Sequence, residues 1–183
     1  MRTSKAQVAE NRQAILKAAG RLFRERGYDA VTVADVMEAA GLTHGGFYGY
    51  FRSKDDLAAQ AIAQALEIME RPVDDWGGHV NRYLTEAHRD NLATGCPVAA
   101  LANETTRSAG VARAEMTRAI GSTIDRMAEV APGLDENSKR RAAIAGWAAM
   151  VGALVLSRLS DEQGLSDEIL NETRAWLTMA RQV

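Results

Sequence analysis

The residues best equipped for chemistry lie in one short segment, Thr32 to Leu57, reading TVADVMEAAGLTHGGFYGYFRSKDDL. Thr43, His44, Gly45 and Gly46 give a short helix a small and polar opening. Such an opening lets a backbone approach base edges in a nucleic-acid groove and leaves an imidazole free to hydrogen-bond there. Tyr48 and Tyr50 can offer hydroxyls to phosphate oxygens, and Lys54 puts an ammonium beside the amides of a helix start, which suit anions. Phe47 and Phe51, four apart, read as packing. Ordinary core aromatics would explain the phenylalanines but not Gly45 and Gly46, each costing ~1 kcal/mol relative to Ala in a helix. Close approach to another surface is the better explanation.

Other chemistries are poorly served. His44, His79, His88 and Cys96 show no metal-ligand spacing, and no Gly-rich phosphate loop follows a strand, so neither metal nor cofactor is expected. A thiol-dependent enzyme would need Cys96 beside His88 or His79, which only geometry can supply. Cys96 also precedes Pro97 at a helix start, where amide dipoles lower a thiol pKa. That placement makes it a candidate sensor of electrophiles or oxidants; the alternative is a small buried residue at a tight corner. A helical interaction module is the remaining rival class.

The elements that must position these groups are helices. Prolines occur only at 72, 97 and 132, Val, Ile and Thr are seldom clustered, and Ala, Leu, Glu, Arg and Met recur. Ile15, Ala19, Leu22 and Phe23 mark an amphipathic helix over about 9–26, ended by Gly27. Thr32 with Asp35 forms a capping box for a short helix that Gly41 stops. Thr43 is placed to cap the next helix, and Ser53 with Asp56 to cap a longer one running to about residue 70. The pair 32–40 and 43–50 has the dimensions of a helix-turn-helix. Downstream, Pro72 and Gly77-Gly78 mark a break before a helix to about 93, and Gly95-Cys96-Pro97 a second break. Further helices are expected at 98–108, 111–130, 136–159 and 167–181, an antiparallel array. The fold class is therefore all-α, about nine helices, with residues 1–57 as one domain and 58–183 as another.

Charge supports the same division. The net charge is −2, yet residues 1–27 hold seven bases against two acids, while residues 58–183 hold 13 bases against 17 acids. The local surplus decides contact with phosphates; a solvated helix face is the alternative. No secretory signal is visible, the apolar run Ala142 to Leu156 is shorter than the ~20 residues of a bilayer span, and the single cysteine suits a reducing cytoplasm.

At this point the sequence resembles the TetR family of bacterial regulators. The family's glycine-ended helix, short recognition helix and Tyr-x-His-Phe-x-x-Lys-x-x-Leu pattern stand here as Tyr48-Gly49-Tyr50-Phe51-Arg52-Ser53-Lys54-Asp55-Asp56-Leu57, with Tyr50 where histidine is common. The match covers about residues 9–57. By position it implies phosphate contacts from Thr32, Thr43, Tyr48, Tyr50 and Lys54, with His44, Gly45 and Gly46 nearest the bases. The run Gly95 to Glu104 resembles a motif of one subgroup of these regulators.

The resemblance implies a cytoplasmic homodimeric repressor of double-stranded operator DNA, released by a small-molecule effector. Dimers of this kind meet half-sites about 34 Å apart. The implied four-helix seam would use Ile144, Ala145, Ala149, Val151, Ala153 and Leu154 on one helix, and Ile169, Thr173, Trp176 and Ala180 on its companion. Effector contacts are expected among Trp76, His79, Tyr83, His88, Cys96, Asn103, Trp147 and Met150, residue types suited to a mostly apolar, aromatic ligand.

Overall fold

The structure, a computed structural model, describes residues 4–67, 72–107 and 111–179, without the side chains of Asn103, Arg107 and Val111. Among the described residues it is all-helical, as the sequence leads one to expect. The elements are α1 (Lys5–Arg26), α2 (Val33–Ala39), the 3-10 turn η1 (His44–Gly49), α3 (Lys54–Glu67), α4 (Trp76–Tyr83), α5 (Glu86–Asp90), α6 (Pro97–Arg107), α7 (Val111–Val130), α8 (Glu136–Leu159) and α9 (Gln163–Met179).

Local chemistry sets most of the boundaries. Ser4 Oγ accepts from the Gln7 amide at 3.1 Å and starts α1, which ends at Gly27 in left-handed backbone, φ +80°. The Thr32–Asp35 capping box is complete: Thr32 Oγ1 accepts from the Asp35 amide at 3.1 Å, and Asp35 Oδ2 accepts from the Thr32 amide at 2.7 Å. Gly41, at φ +71°, turns the chain after α2. Ser53 Oγ accepts from the Asp56 amide at 3.1 Å and starts α3.

The expected helix at 43–50 is instead the short 3-10 turn η1. Its bonds span three residues, Gly46 N–H to Thr43 O at 3.1 Å and Tyr50 N–H to Phe47 O at 2.9 Å, and Thr43 makes no side-chain cap bond. Three glycines in six residues leave too little helix propensity for a full α-turn. A second difference concerns Gly77 and Gly78, which lie inside α4 rather than before it. Asp75 Oδ1 accepts from the Gly78 amide at 2.7 Å, and Thr85 Oγ1 accepts from the His88 amide at 3.1 Å. These two caps place the break at Leu84–Thr85, splitting one expected helix into α4 and α5. Helix α9 likewise starts at Gln163, four residues early, with Gly164 in its first turn.

In tertiary packing α1 lies against α2, α3 and α6, α3 reaches on to α7, and α7, α8 and α9 pack in sequence. Helix α3 therefore runs unbroken past residue 57 and belongs to both groups of helices. Trp76 closes the far end: its indole Nε1 donates to Leu177 O at 2.9 Å, and a Cβ on Gly146 would overlap its ring. Among the described residues α8 is the one helix long and apolar enough to cross a membrane, with 39% of that stretch buried inside the fold; the helix outlasts the apolar run read from sequence.

Candidate nucleic-acid interface and buried polar cluster

Helix α2 and η1 hold the candidate interface against α1. Phe47 and Phe51 are buried, stacked with ring centroids 5.8 Å apart, so η1 is pinned by one face and presents the other. Thr43, His44, Gly45 and Gly46 are exposed on that face, and Tyr48 is 74% exposed. A Cβ on Gly45 would meet nothing within 4 Å, and one on Gly46 would make only ordinary contacts, with Met37 Cε at 3.8 Å and Tyr50 Cε2 at 3.9 Å. Nothing inside the fold requires glycine there.

The other three expected phosphate contacts are committed internally. Thr32 Oγ1 donates to Asp35 Oδ2 at 2.6 Å as part of its box. The Tyr50 hydroxyl accepts from Asn11 Nδ2 at 2.9 Å, tying η1 to α1. Lys54 Nζ donates to Tyr28 O at 2.7 Å and lies 4.0 Å from the centre of the Tyr28 ring. Tyr28, just past the glycine that ends α1, is thus a hub: it packs on Phe23 at 5.5 Å and its hydroxyl donates to Asp55. Burial and the Asp55 carboxylate push that phenol up to about 12. An aromatic just past a helix-ending glycine was the available signal.

The eight expected effector residues divide. Trp76, Trp147 and Met150 are buried in the core, and the Asn103 side chain lies outside the described set. His79, Tyr83, His88 and Cys96 come together where α4, α5 and the start of α6 meet. The Tyr83 ring stands edge-on to His88 at 4.5 Å and 6.2 Å from His79. His88 is fixed at both nitrogens, Nδ1 2.7 Å from Tyr83 O and Nε2 accepting from the Cys96 amide at 3.0 Å. The first nitrogen therefore carries the proton, and the ring is neutral. Burial lowers the pKa of both histidines; at His79 Arg82 and Arg126 add to it. Burial raises the Tyr83 phenol well above its ordinary value. Cys96 is a buried free thiol. Two polar atoms of this cluster, His79 Nε2 and the Tyr83 hydroxyl, are buried without a hydrogen-bond partner.

Neither of two open grooves belongs to this cluster. One, of about 620 Å³, lies between α1 and α3; the other, of about 960 Å³, lies between α3, the end of α1, α6 and α7. None of the eight expected residues lines either.

Two arginines tie the cluster outward. Arg158 on α8 donates to His88 O at 3.0 Å and Arg89 O at 2.9 Å. Arg24 on α1 donates to Ala93 O in the turn before Cys96. No local sequence pattern marks an arginine whose acceptor is a distant carbonyl.

The expected seam residues also divide. Ile144, Ala145 and Trp176 are exposed, while Ala149, Val151, Ile169 and Thr173 are half-buried. Ala153 and Leu154 are corrected: at 4% and 0% exposure they fill the protomer's own core and have no surface to give a partner. At about 100° per residue they fall on the side of Trp147 and Met150. The outward side carries Leu156 and Leu159, joined on α9 by Leu165 and Met179. Ala180 lies outside the described residues.

Residues 15–61 match the family model described as bacterial regulatory proteins, tetR family. Over 65 residues the chain is 42% identical to the HTH-type transcriptional repressor BepR of Brucella suis, covering 36% of this chain and 31% of BepR. Over 66 residues it is 39% identical to the HTH-type transcriptional regulator TtgR of Pseudomonas putida, again covering 36% and 31%. The chain thus matches about a third of the length of these relatives. Its fold is shared more widely: a TetR transcriptional regulator from Chloroflexus aurantiacus superposes with a TM-score of 0.74 at 23% identity, over 94% of this chain and 96% of that one.

Proposed function

We propose, for a chain whose residues 15–61 match the tetR family and whose described helices take that fold, that it is a DNA-binding transcriptional repressor released by a small molecule. The observation that carries this reading is η1: a pinned turn whose exposed face offers Thr43, His44 and Tyr48 around two glycines that no internal contact requires. Residues 1–57 form the reading head in this proposal and residues 58–183 the effector-binding and dimerising body, with α3 as the shared rod between them. His44, Gly45 and Gly46 lie nearest the bases; Thr43 and Tyr48 reach phosphates directly, and Thr32, Tyr50 and Lys54 serve chiefly to hold that surface in shape.

The protein acts as a cytoplasmic homodimer. The apolar outer side of α8 and α9 supports this, since large apolar patches on a monomer mark contact surfaces, and operator half-sites demand two heads. Resemblance of the Gly95–Glu104 run to one subgroup is carried forward in the same sense. The test is DNA selected from a random pool, followed by gel shift across a salt series. Sequence-selective binding that weakens steeply with salt is expected; selection that enriches nothing would overturn the reading.

A further inference from the structure

We propose that the half-buried His79–Tyr83 pair is the polar end of the effector site and takes a small aromatic acid, whose carboxylate accepts hydrogen bonds from both side chains. The inference rests on the reading of the protein as an effector-responsive regulator and names the class of its effector.

The two side chains lie four residues apart on α4, one above the other on the same face, with ring centroids 6.2 Å apart. The Tyr83 hydroxyl and His79 Nε2 are both buried and without a partner. The hydroxyl interacts with the Cys96 thiol, a weak hydrogen-bond partner that leaves it without a strong one. A packed core rarely keeps one such atom, because each forfeits its hydration with nothing in return. Here two stand side by side. Their polar neighbours cannot turn to them: His88 is used at both nitrogens and Arg158 holds two carbonyls.

The charge around the pair selects the ligand's class. Arg82 and Arg126 act on His79 and Arg158 acts on Tyr83, against the single carboxylate of Asp75. That carboxylate is occupied in capping α4 at Gly78. Burial keeps the phenol protonated and the imidazole neutral; the phenol donates, and the imidazole donates from Nε2 in its Nε2–H tautomer. Two donors in a positive field call for an anionic acceptor with two oxygens. The rings of His79, Tyr83 and His88 give that acceptor an aromatic setting.

Occupancy also has a route to the reading head. Neither of these two grooves is lined by the pair; in the proposal a ligand parts Tyr83 from His88, whose rings meet edge-on at 4.5 Å. His88 Nε2 holds the Cys96 amide, Cys96 ends the turn containing Ala93, and Arg24 bonds that turn to α1.

The test is calorimetric titration of the full chain with benzoate, against benzamide as the neutral isostere and acetate as the charged fragment. Benzoate is expected to bind at least 10-fold more tightly than either. Tyr83→Phe removes only an unpartnered hydroxyl, so it is expected to keep the wild-type thermal midpoint while weakening benzoate about 10-fold. Benzoate is also expected to slow maleimide labelling of Cys96, the single cysteine. No benzoate binding by the folded protein, equal binding of benzamide, or an unchanged affinity in Tyr83→Phe would each overturn the proposal. Gel shift on the same preparation separates the two readings. DNA binding without benzoate binding removes this proposal alone, whereas benzoate binding without any DNA binding removes the regulator.

Discussion

The guanidinium of Arg24, in the last turn of α1, donates from Nε to the carbonyl oxygen of Ala93 at 2.8 Å, across 69 residues of chain. Burial lowers the pKa of this arginine, the cost of holding a cation between two groups of helices. The bond attaches the 91–96 turn directly to α1. Arg24→Met keeps the stem and loses the bond. It is expected to lower stability by about 1–2 kcal/mol and to speed hydrogen exchange at the amides of Thr94 and Cys96. Unchanged exchange would remove the attachment.

Tyr48 and Lys54, both proposed to shape the DNA-facing surface, occupy different environments. Tyr48 is 74% exposed, whereas Lys54 holds Tyr28 O and its ring. Tyr48→Phe should weaken DNA binding severalfold at every site with no change in thermal midpoint. Lys54→Ala should weaken DNA binding and also cost about 1 kcal/mol of stability, from the lost cation–π contact and hydrogen bond. Equal thermal midpoints for the two variants would show that Lys54 has no internal role. Changing His44 should alter which selected sequences are preferred.

Trp176 is 60% exposed and lies three residues from the exposed Met179 on α9. In the homodimer reading, Trp176→Glu places a charge in the seam and should convert dimer to monomer at micromolar concentration, as measured by light scattering. DNA affinity should fall at least 10-fold with it, since a single head contacts a single half-site. A variant that stays dimeric would move the seam elsewhere.

His79 and His88 have pKa values depressed chiefly by burial, so the unfolded chain binds their protons at a higher pH than the folded one. Their contribution is therefore fully present above the unfolded value of about 6.5 and is lost as pH falls below it. Protonating His88 at Nε2 would also displace the Cys96 amide. The thermal midpoint should drop between pH 7.5 and pH 5.5, and the double variant His79→Gln, His88→Gln should flatten that slope. A midpoint that rises over the same interval would contradict the neutral state of both rings.

Much of the head was legible because its signals are local. The Thr32–Asp35 box, Gly27, Gly41 and the Ser53 cap act through residues at most four apart, and each stands where the residue types indicate. Local reasoning erred where two short-range effects competed. The glycines of η1 outweighed helix continuation, while the Asp75 cap outweighed Gly77 and Gly78 in α4.

By itself the sequence determined an all-helical chain, the pairing of α2 with a glycine-rich turn, and a charge surplus at the end that carries them. Periodicity, capping and propensity are properties of neighbouring residues, so they are present before the chain folds. Only the tertiary structure decided that Leu154 faces inward and Trp176 outward, that Lys54 serves Tyr28, and that Arg24 reaches Ala93. It also brought Tyr83 beside His79 with two unpartnered atoms. Those facts depend on which distant surfaces meet, and the spacing of residues along the chain carries no record of it.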